Sequence, residues 1–190
     1  DMVGILRTVL FAPEDVQLVT GPPAERRRQV DILLSQIDRG YLRALTRFGK
    51  VVSQRNGLLR TFVRDGVDPG SPTALTQLAF WDEELIAAGS VIVADRAAEL
   101  HRLSQLIAAR SRSLVAGHEI SLRYEPRLDV PAWEGNGETD RRRLVQQVQA
   151  AYLEQLVRHR AEEFRRGVTL IGPHRDDVGL LLDGRPMAAF

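Results

Sequence analysis

The sequence has no cysteine, which excludes disulfides, thiolate zinc sites and a cysteine nucleophile, and favours a cytosolic setting. Lysine is almost as scarce: Lys50 is the only one among 26 basic residues, the rest being arginine. A phosphate-binding loop would have to use Lys50, whose setting, Arg47-Phe48-Gly49-Lys50-Val51, lacks the glycine-rich spacing. The arginine bias fits a GC-rich genome as well as a need for bidentate phosphate contacts. There is no surplus of one charge either, since 26 basic residues face 25 acidic ones and leave +1. Any contact with nucleic acid must therefore come from a local patch. No apolar run approaches the length of a membrane span, and the start, Asp1-Met2-Val3-Gly4-Ile5, does not read as a leader peptide. An initial Asp suggests a piece of a longer protein.

What is present is a globular composition, 44% hydrophobic over 190 residues, enough for a core. Ile5 to Ala12 reads as a buried strand closed by Pro13. A helix is predicted from Pro23 to Ile37, with Val30, Leu33, Leu34 and Ile37 on one face and Arg26, Arg27 and Arg28 around its start. Cations in a first turn oppose the helix dipole, which hints at a use; the alternative is a solvated start paired with Glu25 and Asp31.

From Asp38 a longer helix begins. Tyr41, Leu45, Phe48, Val52, Leu59 and Phe62 form a seam of alternating four- and three-residue steps, with Arg55 where an apolar residue belongs. Such a polar interruption more often fixes register than binds a ligand. After the loop around Asp68-Pro69-Gly70-Ser71, a second long helix spans about Thr73 to Val115, and the two should pair antiparallel. Asp95-Arg96, between its two apolar seams, is a hinge, a cap or a set of paired charges.

Gly117 is placed as the helix cap, followed by a half-exposed strand through Ile120, Leu122 and Tyr124. A third helix covers about Asp140 to Arg166 and again starts on three arginines, Arg141, Arg142 and Arg143. Then come an apolar strand at Val168 to Ile171, the polar stretch Gly172-Pro173-His174-Arg175-Asp176-Asp177, a second strand to Leu182 and a turn at Asp183-Gly184. The layout has three parts: head strand and loop (1–22), helical arm domain (23–166) and return strands (167–190).

Few enzyme chemistries fit. No serine sits in a nucleophile elbow, and the four histidines lack metal-ligand spacing; His159 and Glu163 read as a surface ion pair. The one dense constellation is His174 to Asp177, where adjacent carboxylates could hold Mg2+ and Arg175 could meet a phosphate. Its alternative is a plain turn in which Asp176 accepts from backbone amides and Arg175 pairs with Asp177.

Four stretches occur together in order: Leu10-Phe11-Ala12-Pro13-Glu14-Asp15-Val16; Glu25-Arg26-Arg27-Arg28 with Asp31; Gln54-Arg55-Asn56 with Leu58-Leu59; and Gly172 to Asp177. In order and approximate spacing they resemble the RecF family, bacterial recombination mediators related to SMC heads. The resemblance implies an α/β parent, a P-loop ABC-type ATPase head with a coiled-coil arm. Of that parent this chain would be an internal, mainly α piece: long antiparallel helices with a few flanking β-strands. The phosphate-binding loop would lie before Asp1, and the signature and Walker B motifs beyond Phe190.

The resemblance further implies ATP and Mg2+ as cofactors of the parent, an ATP-dependent homodimer, single-stranded or gapped DNA as ligand, and RecR and RecO as partners in recombinase loading and the SOS response. The parent would be a slow DNA-dependent ATPase, and this piece inactive alone. Glu14 and Asp15 would lie near the nucleotide and metal, Glu14 standing where SMC proteins carry a glutamine. His174, Arg175, Asp176 and Asp177 would lie near the nucleotide sandwich. Arg26, Arg27, Arg28, Arg141, Arg142 and Arg143 become candidates for phosphate-backbone contact. The alternative is a protein-interaction arm that docks RecR without touching DNA.

Overall fold

The computed structural model describes residues 16–135 and 137–189. The strand expected at Ile5 to Ala12 and the candidates Glu14 and Asp15 lie outside the described residues. After the short α1 (Gln17–Thr20) come α2 (Pro23–Ile37), α3 (Arg39–Asp65), α4 (Pro72–Leu114), β1 (Ile120–Glu125), α5 (Glu138–Arg166), β2 (Asp177–Leu182) and β3 (Arg185–Pro186).

The helix boundaries have local causes. Pro23 opens α2, where a backbone N–H would be unpaired in any case. The Asp38 side chain accepts from the Gly40 amide at 2.6 Å and caps α3, and Ser71 caps α4 through the Ala74 amide at 3.3 Å. α4 ends at Leu114, and the left-handed reversal after it involves Ala116 as well as the expected Gly117.

α4 is the central rod. Phe48 faces Gly89, Arg55 pairs with Asp82, and Tyr41 bonds to Arg96, so α3 and α4 run antiparallel. α5 packs antiparallel on the same rod through Arg160–Asp82, Tyr152 against Gly89, and Arg141–Asp95. Gly89 permits the close approach of all three helices: a Cβ there would lie 2.7 Å from the Tyr152 ring and 3.1 Å from Phe48.

β1 and β2 pair antiparallel from Ile120↔Leu182 to Glu125↔Asp177, and β3 returns through Asp183-Gly184. Both turn residues have positive φ, 48° and 76°, as a two-residue type I′ hairpin requires. α4 side chains satisfy amides on β1: Ser111 Oγ accepts from Ile120 N at 2.9 Å and Ser104 Oγ from Leu122 N at 2.8 Å. Sheet pairing thus joins the segment before α5 to the segment after it, across the boundary read at residue 166.

The strand expected at Val168 to Ile171 does not form. Its polar backbone groups go to side chains instead of a neighbouring strand: Asn56 Oδ1 accepts from Thr169 N at 2.7 Å, Glu163 Oε1 accepts from Leu170 N at 2.8 Å, and the Tyr152 hydroxyl donates to the Ile171 carbonyl at 3.0 Å. The segment is an irregular strap laid over α3 and α5.

The apolar core is in two pieces. The larger includes Tyr41, Phe48, Ile92, Val148, Tyr152 and Ile171; the smaller, toward the α3–α4 loop, holds Leu59, Phe62, Ala74, Leu78 and Phe164. Arg55 lies buried near this division. Its Nε donates to Asp82 at 2.8 Å, Nη1 to Thr169 at 2.9 Å and Nη2 to Glu163 at 2.6 Å. The polar break in the α3 seam is therefore a fully buried ion cluster. Glu163 belongs to it and not to His159, which instead approaches Glu162 at 3.8 Å.

Candidate functional site

The stretch from Gly172 to Asp177 lies where the strap enters β2, in a 3-10 turn over Pro173–Arg175. Gly172 has φ 130° and ψ 176°, a region essentially restricted to glycine, and a Cβ there would collide with the Tyr152 hydroxyl. Tyr152 and Phe48 thereby press the turn against the helices.

The turn's two carboxylates part company. Asp177 receives both Nε and Nη2 of Arg26 at 2.8 Å, a bidentate pair that holds the Asp177 carboxyl below its ordinary range. Asp176 is buried: its Oδ1 accepts from the Arg127 amide at 2.9 Å and its Oδ2 from the Tyr124 hydroxyl, with Arg96 Nη1 3.7 Å away. Burial nevertheless pushes its pKa up. Arg27 donates to the Asp176 carbonyl at 2.6 Å, and burial, followed by repulsion from Arg96, lowers its pKa.

Arg96 is the hub. From mid-α4 it donates to Asp31 at 2.7 Å, the Tyr41 hydroxyl at 3.0 Å and the Pro173 carbonyl at 2.7 Å, and Asp31 also accepts from Tyr41. Of the three readings of Asp95-Arg96, the structure selects paired charges: Asp95 is the partner of Arg141.

His174 packs beside Phe48, ring centroids 5.6 Å apart. Its Nε2 lies 3.2 Å from the Thr169 carbonyl, which only accepts, so Nε2 carries the proton. Nδ1 is then a lone pair, buried and without a partner. Burial lowers the pKa of His174 to about 4.

These contacts revise the plain-turn alternative. Asp176 does accept a backbone amide, but Arg175 donates to the Thr169 carbonyl at 3.2 Å while Asp177 pairs with Arg26. Nor do Arg26 and Arg27 take Glu25 and Asp31 as partners. The two carboxylates do not converge, and among the described residues no three such side chains could hold a metal ion. None of the described residues is therefore assigned to a nucleotide or metal.

Arg28 lines a cavity of about 640 Å3 between α2 and α3 with Phe48 and His174. At the start of α5, Arg141 is tied to Asp95, Arg142 donates to Glu138 at 3.1 Å, and Arg143 is exposed. Sequence reading missed Tyr41, Tyr124 and Arg127 as members of the network and left the role of Arg96 open. A charged pair inside an apolar helix was the available signal for Arg96; for Tyr124 and Arg127 there was none.

Comparison with known proteins accords with this geometry. No family model matches the chain. It is 45% identical over 195 residues to the DNA replication and repair protein RecF of Herpetosiphon aurantiacus, covering 100% of this chain and 44% of the relative. It is 40% identical over 195 residues to the RecF of Thermomicrobium roseum, covering 100% and 48%. The chain thus spans about half the length of the curated relatives it matches. Among solved structures, the recombination mediator protein RecF bound to ATP, described within the RecFOR pathway, superposes with a TM-score of 0.82 at 23% identity, over 100% of this chain and 47% of that one. This second likeness establishes the fold.

Proposed function

The chain belongs to the RecF family, and from that premise we propose that it is the arm-bearing part of a DNA-binding repair ATPase, mounting the helical arm on the nucleotide-binding head. The observation that carries this is the buried lock at Arg96, which ties α4 to Asp31 of α2, to Tyr41 of α3 and to the turn ahead of β2. A lock of buried, mutually satisfied charges moves as a unit or breaks at high cost. Motion of the head around the turn would therefore reach the arm without slack.

In the complete protein, ATP with Mg2+ would join two copies, and the arms would close over single-stranded or gapped DNA in the cytoplasm, supporting recombinase loading with RecR and RecO and the SOS response. The piece itself is expected to be without ATPase activity. The test is Asp176→Asn and Arg96→Met in the complete parent: nucleotide binding should persist while nucleotide-dependent DNA association falls. Unchanged DNA association with both variants would remove the reading.

A second reading, an arm that docks a partner protein without touching DNA, is supported by Leu153 and Val157, one turn apart on α5 and 55% and 60% exposed. Serine at both positions should weaken RecR binding and spare DNA on this reading.

A further inference from the structure

The arginines that sequence reading offers to phosphates are in large part engaged internally, which directs attention to positive charge lacking a carboxylate. Such charge gathers in a cleft of about 380 Å3 where α5 meets the strap. His159, Glu162 and Arg166 line it from one face of α5, Arg175 from the turn, and Arg127 from the segment after β1. Three guanidinium groups face one carboxylate, Glu162, which already meets Arg166 at 2.7 Å and has Arg165 at 3.7 Å.

The donors are poorly satisfied but well positioned. Among the described residues no carboxylate pairs with the Arg127 guanidinium, and Arg175 gives one of its five donors, to the Thr169 carbonyl. Both main chains are fixed: the Arg127 amide donates to buried Asp176 at 2.9 Å, and the Arg175 amide to the Gly172 carbonyl at 2.9 Å. Arginine forks on an anchored backbone, with unused donors and a cleft between them, match the tetrahedral oxygens of a phosphate group.

We propose that Arg127, Arg166 and Arg175 form a phosphate-binding site at the junction of α5 with the strap. It deepens the DNA-contact reading and rests on that reading only for a polynucleotide as the source of the phosphate; a free polyphosphate would offer the same group.

The test uses the 190-residue chain with two probes, a labelled single-stranded oligothymidylate followed by anisotropy and sodium pyrophosphate followed by calorimetry. Arg127→Glu and Arg175→Glu should each weaken the bound probe roughly tenfold, and for the oligonucleotide each should lower the salt slope by about one. Arg127→Gln, which leaves every internal ion pair in place, should show a smaller loss in the same direction, and circular dichroism verifies folding of each variant. Loss confined to the oligonucleotide identifies the backbone as the source, loss confined to pyrophosphate a free phosphate, and both outcomes support the site. Binding that all three variants leave within twofold of the parent chain overturns the site while the DNA-contact reading stands. A parent chain that binds neither probe overturns both.

Discussion

His174 is held neutral by its surroundings, and the consequence is measurable. Its imidazole, ordinarily near 6.5, is lowered to about 4 by burial, with Arg175, Arg27 and Arg96 adding like-charge repulsion. A base depressed in the folded state binds its proton first in the unfolded chain. Its contribution to stability is therefore complete above pH 6.5 and is lost as the pH falls toward 4, by about 3 kcal/mol in all. Asp176 and Asp95, both raised by burial, slope the opposite way in acid, so the informative quantity is the difference between parent and His174→Gln. The parent should lose stability over that range relative to the variant in urea unfolding; parallel curves would refute the assignment. Gly172 is the second sensitive residue. Gly172→Ala combines a forbidden backbone region with a clash on Tyr152, and a loss of at least about 2 kcal/mol is expected in the same assay.

At the scale of elements, the argument turns on where backbone and charged groups find partners. The apolar run from Val168 to Ile171 carries every mark of a buried strand, yet Asn56, Glu163 and Tyr152 claim its polar groups and no neighbouring strand is needed. Local pattern registers hydrophobicity and turn chemistry; it cannot register side chains more than a hundred positions away. The helices were legible for the opposite reason, since their caps and seams lie within the elements themselves. Arg96 ties those helices to the turn. Arg96→Met would leave Asp31 and buried Asp176 short of a counter-charge, at a cost of about 3–5 kcal/mol. Arg96→Lys should recover less than half of that, because an ammonium cannot reproduce a fork that serves α2, α3 and the turn at once. Full recovery by lysine in urea unfolding would show that charge alone matters.

Across the whole molecule, the two-part core predicts two levels of stability. The smaller cluster, near the α3–α4 loop, is built on the stacked rings of Phe62 and Phe164, 5.1 Å apart at 12°. Phe62→Ala should cost about 3–4 kcal/mol and act locally. In hydrogen exchange, amides from Leu59 to Leu78 should lose protection well before those around Tyr152; uniform acceleration would mean a single cooperative core. The buried Arg55 cluster explains the separation, since charged side chains near the division interrupt apolar continuity while fixing α3, α4 and α5 in one register.

The sequence by itself determined the helices, their antiparallel order, the Asp183-Gly184 hairpin and the motifs that mark the family, because each is written in contiguous residues or in a short period. Only the tertiary structure decided which arginine meets which acid. Arg26 and Asp177 lie 151 positions apart and Arg96 and Asp31 lie 65 apart, and arginines of one composition read alike until the fold brings a carboxylate to some and leaves others open. A charge acquires a role from what is within a few ångströms of it, and that distance is set by the packing of the whole chain.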